Sequence, residues 1–501
     1  MSSASISRYS YQFLDHLEML HVAHLPAIAN MMQKEGGYYM LFDSTCEAGS
    51  GSLFNVLGGW RNWILGSWRQ STENTQEMLP HVIYLTDILG APLAIMKDMS
   101  VQGQYVADEI EKRYPNKTIR IFVCHYHFVK DIGKDILHID HNSLKSLIRD
   151  AKANLARLIR DTRDKVTDNS KSVARTMGEW LASSESMAIP MGSDAIAIVR
   201  YLSQWVLDSS QDGDSDQFPF ELPYLLFYER IIRMSNIAAK LLKSIEPDLH
   251  SVTHSLLNRL FNITTTLAKN RKVERIASLL RSKNDLFIRL RRALRLEKKT
   301  NIEDDCNTIE KRKEFHQKAK EDFESFVAEL RKMLESYKIK SALKKAIGII
   351  ITHIDKYNDK LWGHDIPVID HDGNTTIRIA DRTNNACEQS FAKTKNNERR
   401  RSGRKNLSWE LTVRPAAVSL VENLKDEEYL DLVCNGSLDN LPFLFAKLEN
   451  DISLDFKEQI DAYKKGNVVV FDSGRLPRAD VKVVRSEAFN SKISSLEALC
   501  T

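Results

Sequence analysis

Gly36-Gly37-Tyr38-Tyr39-Met40-Leu41-Phe42-Asp43 decides how this chain is read. The two glycines stop a helical spacing of Leu14, Leu17, Leu20, Val22, Leu25, Ile28 and Met32. The apolar run behind them is too short for a stable helix and reads as a buried strand, delivering Asp43 at its C-terminal end. Gly49-Ser50-Gly51 is a turn, 53–57 a second strand, Gly58-Gly59 another turn and 63–68 a third strand. Short strands joined by tight glycine turns make an antiparallel meander. The period becomes helical over 73–89. A fourth strand, 92–96, ends at Lys97-Asp98, a helix covers 101–114, and a fifth strand, 118–123, runs into Cys124-His125-Tyr126-His127 and a further helix. Strands linked through helices favour parallel pairing. The expectation is an α/β fold with a mixed sheet flanked by helices. If the Asp43 and Asp98 strands are parallel neighbours, both carboxylates emerge beyond the strand C-termini, where sites in such sheets sit.

From 136 to 365 the pattern is almost wholly helical, and repeated amphipathic stretches of this length build a bundle. Gly363-His364-Asp365-Ile366-Pro367 breaks it, Ile377-Arg378-Ile379 reads as a short extended segment, and a helix is expected over 407–424. The expected organisation is a helical lead (1–37), a first sheet part (38–135), an all-α insertion (136–365), a second part (366–425) and a tail (426–501) with a strand-like run at 468–471.

The 501 residues carry 43% hydrophobic and 28% charged side chains, as soluble globular proteins do. No apolar run reaches the roughly 20 residues of a membrane span, and the N-terminus lacks the apolar core of a secretory signal. Six scattered cysteines suggest a reducing compartment rather than a disulfide framework. A cytoplasmic location is expected, nucleoid-associated in a prokaryote. Net charge is only +4. The basic residues are nevertheless clustered, at 269–299 and 393–405, and local positive stripes are the footprint of a phosphate-backbone partner or the solvated faces of long helices.

The second decisive stretch is Thr383-Asn384-Asn385-Ala386-Cys387-Glu388. Asn385 with Glu388 three residues on has the form of an N-cap and capping box. The same spacing would hold a carboxylate with cations behind it: Lys393, Lys395, Arg399, Arg400, Arg401, Arg404 and Lys405. Taken singly, Asp43 and Asp98 suit strand-to-loop aspartates capping their own backbone. Taken together with Glu388, they are what a two-metal phosphoryl-transfer site needs. Cys124 and His127 have the spacing of half a zinc site, with no second half in sight; buried packing, or orientation of a ligand from behind, are the other readings. Trp180 and Trp205 read as core, or as aromatics that stack on an extruded base.

These residues as a set resemble the DDE transposases of the RNase H-like superfamily, in the group with a C/D-x-x-H signature and a helical insertion, among them Mutator-like and related bacterial insertion-sequence enzymes. The resemblance rests on Leu41-Phe42-Asp43-Ser44-Thr45, Gly90-Ala91-Pro92 through Lys97-Asp98, Cys124-His125-Tyr126-His127-Phe128, and 383–388 with its basic run. It covers about 38–137 and 376–425. It implies an RNase H-like sheet. It also implies that Asp43, Asp98 and Glu388 bind two Mg2+ (or Mn2+) ions, with Cys124, His127, Asn384 and Asn385 supporting them and the basic run contacting DNA. Water would cleave a phosphodiester at a transposon end, and the freed 3′-hydroxyl would attack target DNA. The implied partners are double-stranded DNA, a second copy of the chain to pair two ends, and a separate end-recognition module, because only about 37 residues precede the first strand. The rival expectations are a truncated or domesticated DNA-binding relative, a nuclease without strand transfer, and a helical interaction scaffold.

Overall fold

A computed structural model describes residues 3–47, 50–163, 170–182, 195–208, 217–244, 251–297 and 308–448. In chain order the elements are α1 (Ser3–Lys34), β1 (Tyr39–Cys46), β2 (Ser52–Gly58), β3 (Trp63–Gln70), α2 (Thr75–Leu89), β4 (Ala94–Lys97), α3 (Val101–Arg113), β5 (Arg120–Val123) and α4 (His125–Asp161). The helices α5 (Ser170–Ala182), α6 (Ala195–Leu207), α7 (Pro223–Ser244), α8 (Ser251–Ala268), α9 (Arg271–Ala293), α10 (Ile309–Glu335) and α11 (Ser341–Tyr357) follow. The hairpin β6 (Asp365–Ile369) and β7 (Thr375–Ile379) leads to α12 (Asn385–Ser402), α13 (Ser408–Val413) and α14 (Glu427–Cys434). The run 468–471 lies outside the described residues.

Two compact units result. One comprises the described residues of Met1–Phe128, Cys306–Glu314 and Tyr357–Thr501; the other comprises those of Val129–Asp305 and Phe315–Lys356. The expected insertion, 136–365, is thus shifted. The second unit starts earlier, at 129, gives up 308–314, and ends before the 365–379 hairpin. Among the described residues no helix is long and apolar enough to cross a membrane.

In the first unit a five-stranded mixed sheet runs in the order β3-β2-β1-β4-β5. β1, β2 and β3 form the antiparallel meander, and β4 and β5 add in parallel. Gly36 and Gly37 turn the chain out of α1 with φ of +89° and +118°, values that L side chains rarely adopt. A Cβ on Gly36 would lie 2.4 Å from the Ile369 carbonyl oxygen. Fully buried Tyr39, Met40, Leu41, Leu57, Ile95 and Met96 form the centre of the core, with Leu17, Ile28, Val82 and Leu85 of α1 and α2 packed there too.

Local differences from the sequence reading have local causes. β1 continues three residues beyond Asp43, so this aspartate stands within the strand and not at its end. β6 contains Pro367, which lowers strand expectation, but in a two-stranded ribbon the missing N–H costs no ladder bond on the open side. The expected helix over 407–424 is broken. α13 stops at Val413 because Pro415 forces Arg414 into the extended region (ψ 143°), and 416–425 continues as 3₁₀ turns. The tail is not separate up to residue 448. Tyr429 of α14 is fully buried, and its hydroxyl lies 2.8 Å from His21 Nδ1 of α1.

The second unit is all helical in its described residues. Several cations of its basic helix α9, and Arg295 just beyond it, pair with acidic residues of the same unit. Arg281 meets Glu229, Lys283 meets Asp140 at 2.6 Å, Arg295 meets Asp322, and Arg289 meets Glu329. Trp180 is buried. Trp205 is half-buried, with the Arg233 guanidinium 5.2 Å above its ring.

Candidate functional site

The site is set by strand register. β1 pairs with β4 as Tyr39–Ala94, Met40–Ile95 and Leu41–Met96, an offset of 55 positions that places Asp43 level with Asp98. β4 pairs with β5 up to Lys97–Val123, so Cys124 follows level with Asp98. On the other flank Asn55 faces Asp43, and Ser67 faces Asn55. One row of polar residues, Ser67-Asn55-Asp43-Asp98-Cys124, therefore crosses the sheet. Directly paired residues project to the same face.

Each aspartate caps local backbone with one oxygen. Asp43 Oδ1 accepts from Ser44 N (2.8 Å), and Asp98 Oδ1 accepts from Ser100 N (2.9 Å) and Ser100 Oγ (2.6 Å). The other oxygens differ. Asp43 Oδ2 takes Asn384 Nδ2 at 3.1 Å, while Asp98 Oδ2 accepts no hydrogen bond among the described residues. Gly103, opening α3, lets the chain close over this loop; a Cβ there would stand 3.1 Å from Asp98 Oδ1.

Glu388 stands on the first turn of α12. Its Oε1 is 3.6 Å from Nε2 of His127, on the first turn of α4. The Asp43 carboxyl is held well above the usual carboxylate range. Burial is the main cause, then the charge of Asp98, with further repulsion from Glu388 and Glu73. Glu73, in the loop before α2, is itself raised by desolvation and by Asp98. The charges of Asp98, Glu388 and Glu73 thus all act on Asp43, and that of Asp98 acts on Glu73. Behind them are two buried thiols. Burial raises Cys124 to about 12, and raises Cys387, which also feels the charge of Asp43.

The expected capping box is absent. The N-cap of α12 is Asn384, not Asn385, and its side chain makes no capping bond because it is engaged by Asp43 and by the Phe42 carbonyl (3.3 Å). Asn385 is exposed and makes no hydrogen bond with the carboxylates. Asn55 and Glu73 belong to this region and carried no motif, and Cys387 stood within the quoted 383–388 stretch without being given a role. Only strand pairing, a loop closure and a helix face bring them in.

The basic run divides into bound and free cations. Lys395 donates to the Cys46 carbonyl (3.0 Å) and lies 3.6 Å from Glu47, and Arg399 also reaches Glu47 (3.0 Å). Lys393 is 3.9 Å from Glu422, Arg401 is 2.7 Å from Glu398, and Arg404 is 3.4 Å from Glu410. Arg400 and Lys405 are exposed and form no ion pair among the described residues. The helix ends at Ser402, where Gly403 (φ +68°) donates back to the Arg399 carbonyl at 2.8 Å. Arg404 and Lys405 therefore lie beyond it.

Among the described residues no three His, Cys, Asp or Glu side chains close into a preformed ligand group. The donor chemistry nevertheless fits a hard divalent cation. The acidic groups are oxygen donors, one oxygen of Asp98 is uncommitted, and their mutual repulsion is what a bound cation would relieve. No family model, curated protein or solved structure matches the chain at a significant level.

Proposed function

We propose that this chain is the catalytic region of a DDE-type transposase with an RNase H-like sheet, acting in metal-dependent DNA cleavage and strand transfer. One observation carries the reading: β1 and β4 pair in parallel up to Leu41–Met96, Asp43 lies in β1 two residues past that pair, Asp98 directly follows β4 in the same register, and the charges of Asp98 and of Glu388, from an element far away in sequence, both raise the Asp43 carboxyl. A sheet built as an antiparallel meander extended by parallel strands, with its third carboxylate on a helix that follows a long helical segment, supports the RNase H-like assignment.

Asp43, Asp98 and Glu388 would hold two Mg2+ or Mn2+ ions. When bound, such ions activate an attacking oxygen and stabilise a leaving one. The chain's own residues supply the rest. β1 and β4 fix two carboxylates on a rigid frame, the first turn of α12 carries the third, and His127 stands beside Glu388. Exposed Arg400 and Lys405 offer free charge to a phosphate backbone. A second copy of the chain, to pair two DNA ends, belongs to the same proposal.

The test is cleavage of labelled duplex DNA with Mg2+ or Mn2+, then joining of a pre-cleaved end with a free 3′-hydroxyl to target DNA. Metal-dependent cleavage and joining, both lost in Asp43→Asn, are expected. Cleavage without joining would leave an RNase H-like nuclease. DNA binding with neither reaction would leave a binding protein.

A further inference from the structure

We propose that Asn384 is a positioning residue that fixes the first carboxylate relative to the third; this rests on the metal-site reading above. Asn384 is fully buried, and its polar groups reach in different directions. The side-chain Nδ2 donates to Asp43 Oδ2 (3.1 Å) and to the Phe42 carbonyl (3.3 Å), both on β1. Its backbone N–H donates to Cys124 Sγ (3.2 Å), at the end of β5. Its carbonyl accepts from Glu388 N (3.3 Å), closing the first turn of α12. One residue thus joins the strand bearing Asp43, the junction of β5 with α4, and the turn bearing Glu388. A parallel link reinforces it, since His125 N donates to the Arg382 carbonyl at 3.0 Å.

The amide orientation follows from chemistry. Both groups facing Nδ2 are acceptors, so the flipped amide would set oxygen against two oxygens. A helix-capping role would use the side chain as an acceptor, and Asn384 makes no such bond. Its Oδ1 is instead buried without a hydrogen-bond partner, which is unfavourable. The residue forgoes a cap and donates to Asp43 instead. Groups that orient ligating carboxylates in this way typically change metal affinity by about 10–100-fold when removed.

The test uses the full chain and Mn2+ binding followed by electron paramagnetic resonance. Asn384→Leu keeps the branched outline and removes the donor. It is expected to melt cooperatively, to bind Mn2+ at least about tenfold more weakly, and to lower kcat for DNA cleavage with KM for DNA unchanged. In an Asp43→Ala background the same substitution should alter Mn2+ affinity little, because the acceptor is already gone. Asn384→Ser, which retains a donor, should recover part of the loss. If Asn384→Leu does not fold, Asn384→Ala is measured against the same standards. Unchanged Mn2+ affinity, an equal loss in both backgrounds, or a serine variant no better than leucine would each overturn the inference while leaving the metal site standing. A wild-type chain that takes up no Mn2+ would overturn the metal-site reading and this inference together.

Discussion

The two ends of α12 treat buried charge in opposite ways. At its start, Glu388 faces Asp43 and Asp98, and burial, with repulsion from Asp98 and Glu388, keeps the Asp43 carboxyl raised. Three turns on, Glu398 is more deeply buried than Glu388 and is paired. Arg401 reaches it at 2.7 Å and Arg414 at 2.9 Å, and Arg414 in turn bonds Ser10 Oγ and lies over the Tyr11 ring. A charge kept for structure has its counter-ion within the fold. A charge kept for chemistry waits for one from outside. One helix therefore carries both a strut and a candidate site, and substitutions at its two ends should fail in different ways.

The largest expected effect is on reaction rate. Asp43→Asn, Asp98→Asn and Glu388→Gln should each lower metal-dependent DNA cleavage by roughly 10²–10³-fold or more, the scale of removing a group that stabilises transition-state charge. The proteins should remain folded by circular dichroism. Retention of wild-type rates in any of the three would remove that residue from the site.

Next is the strut. Glu398→Ala leaves Arg414 buried beside Arg401 with no carboxylate between them, and should destabilise the first unit by about 3–5 kcal/mol, as breaking a buried pair does. Denaturant unfolding checks it. Cleavage by the surviving folded fraction should stay close to normal. If Glu398→Ala were as stable as the parent, the contrast between the two ends of the helix would collapse.

The same contrast predicts the opposite sign at Asp43. Its folded-state carboxyl is raised, so protonation favours the folded state: its contribution is present below the ordinary aspartate value, about 3.9, and is lost as pH rises through the raised value. Asp43→Asn should therefore stabilise the chain in EDTA at neutral pH, on the order of 0.5–2 kcal/mol, with the gain vanishing below about pH 4. Mn2+ should reverse the ranking by raising the melting temperature of the parent more than that of the variant. Melting curves at several pH values, with and without Mn2+, decide it. A destabilised Asp43→Asn in EDTA would mean that Asp43 is a structural aspartate.

The sheet was largely legible because its strands are short apolar runs cut by glycine turns, and helices between the later strands imply parallel pairing. Asp43 and Asp98 were legible for the same reason. What the row contains beyond them was not. Asn55 looks like any strand residue until β2 pairs with β1, and no local pattern says which of Asn384 and Asn385 turns inward. The charge run misled more seriously. Read along the chain, 393–405 is a cationic track. In the fold Glu398 interrupts it as a buried anchor, and Glu47, Glu410 and Glu422, distant or unremarked in sequence, claim most of its cations. Local patterns reveal where charges are, and only packing reveals which are already neutralised.

The smallest effect follows from that remainder. Arg400 and Lys405 are the cations of the run left without an ion pair among the described residues. Exposed charges of this kind contribute little to stability, so Arg400→Ala with Lys405→Ala should leave the melting temperature unchanged. If they face DNA, the double substitution should weaken binding about equally for every duplex sequence. It should also reduce the slope of log K against log salt by roughly 2, one unit for each lost phosphate contact. Arg399→Ala should behave differently. It gives up a contact with Glu47, so it should affect stability and DNA affinity together. A salt slope unchanged by the double substitution would place the DNA surface elsewhere, and would leave the free end of α12 as a solvated helix terminus.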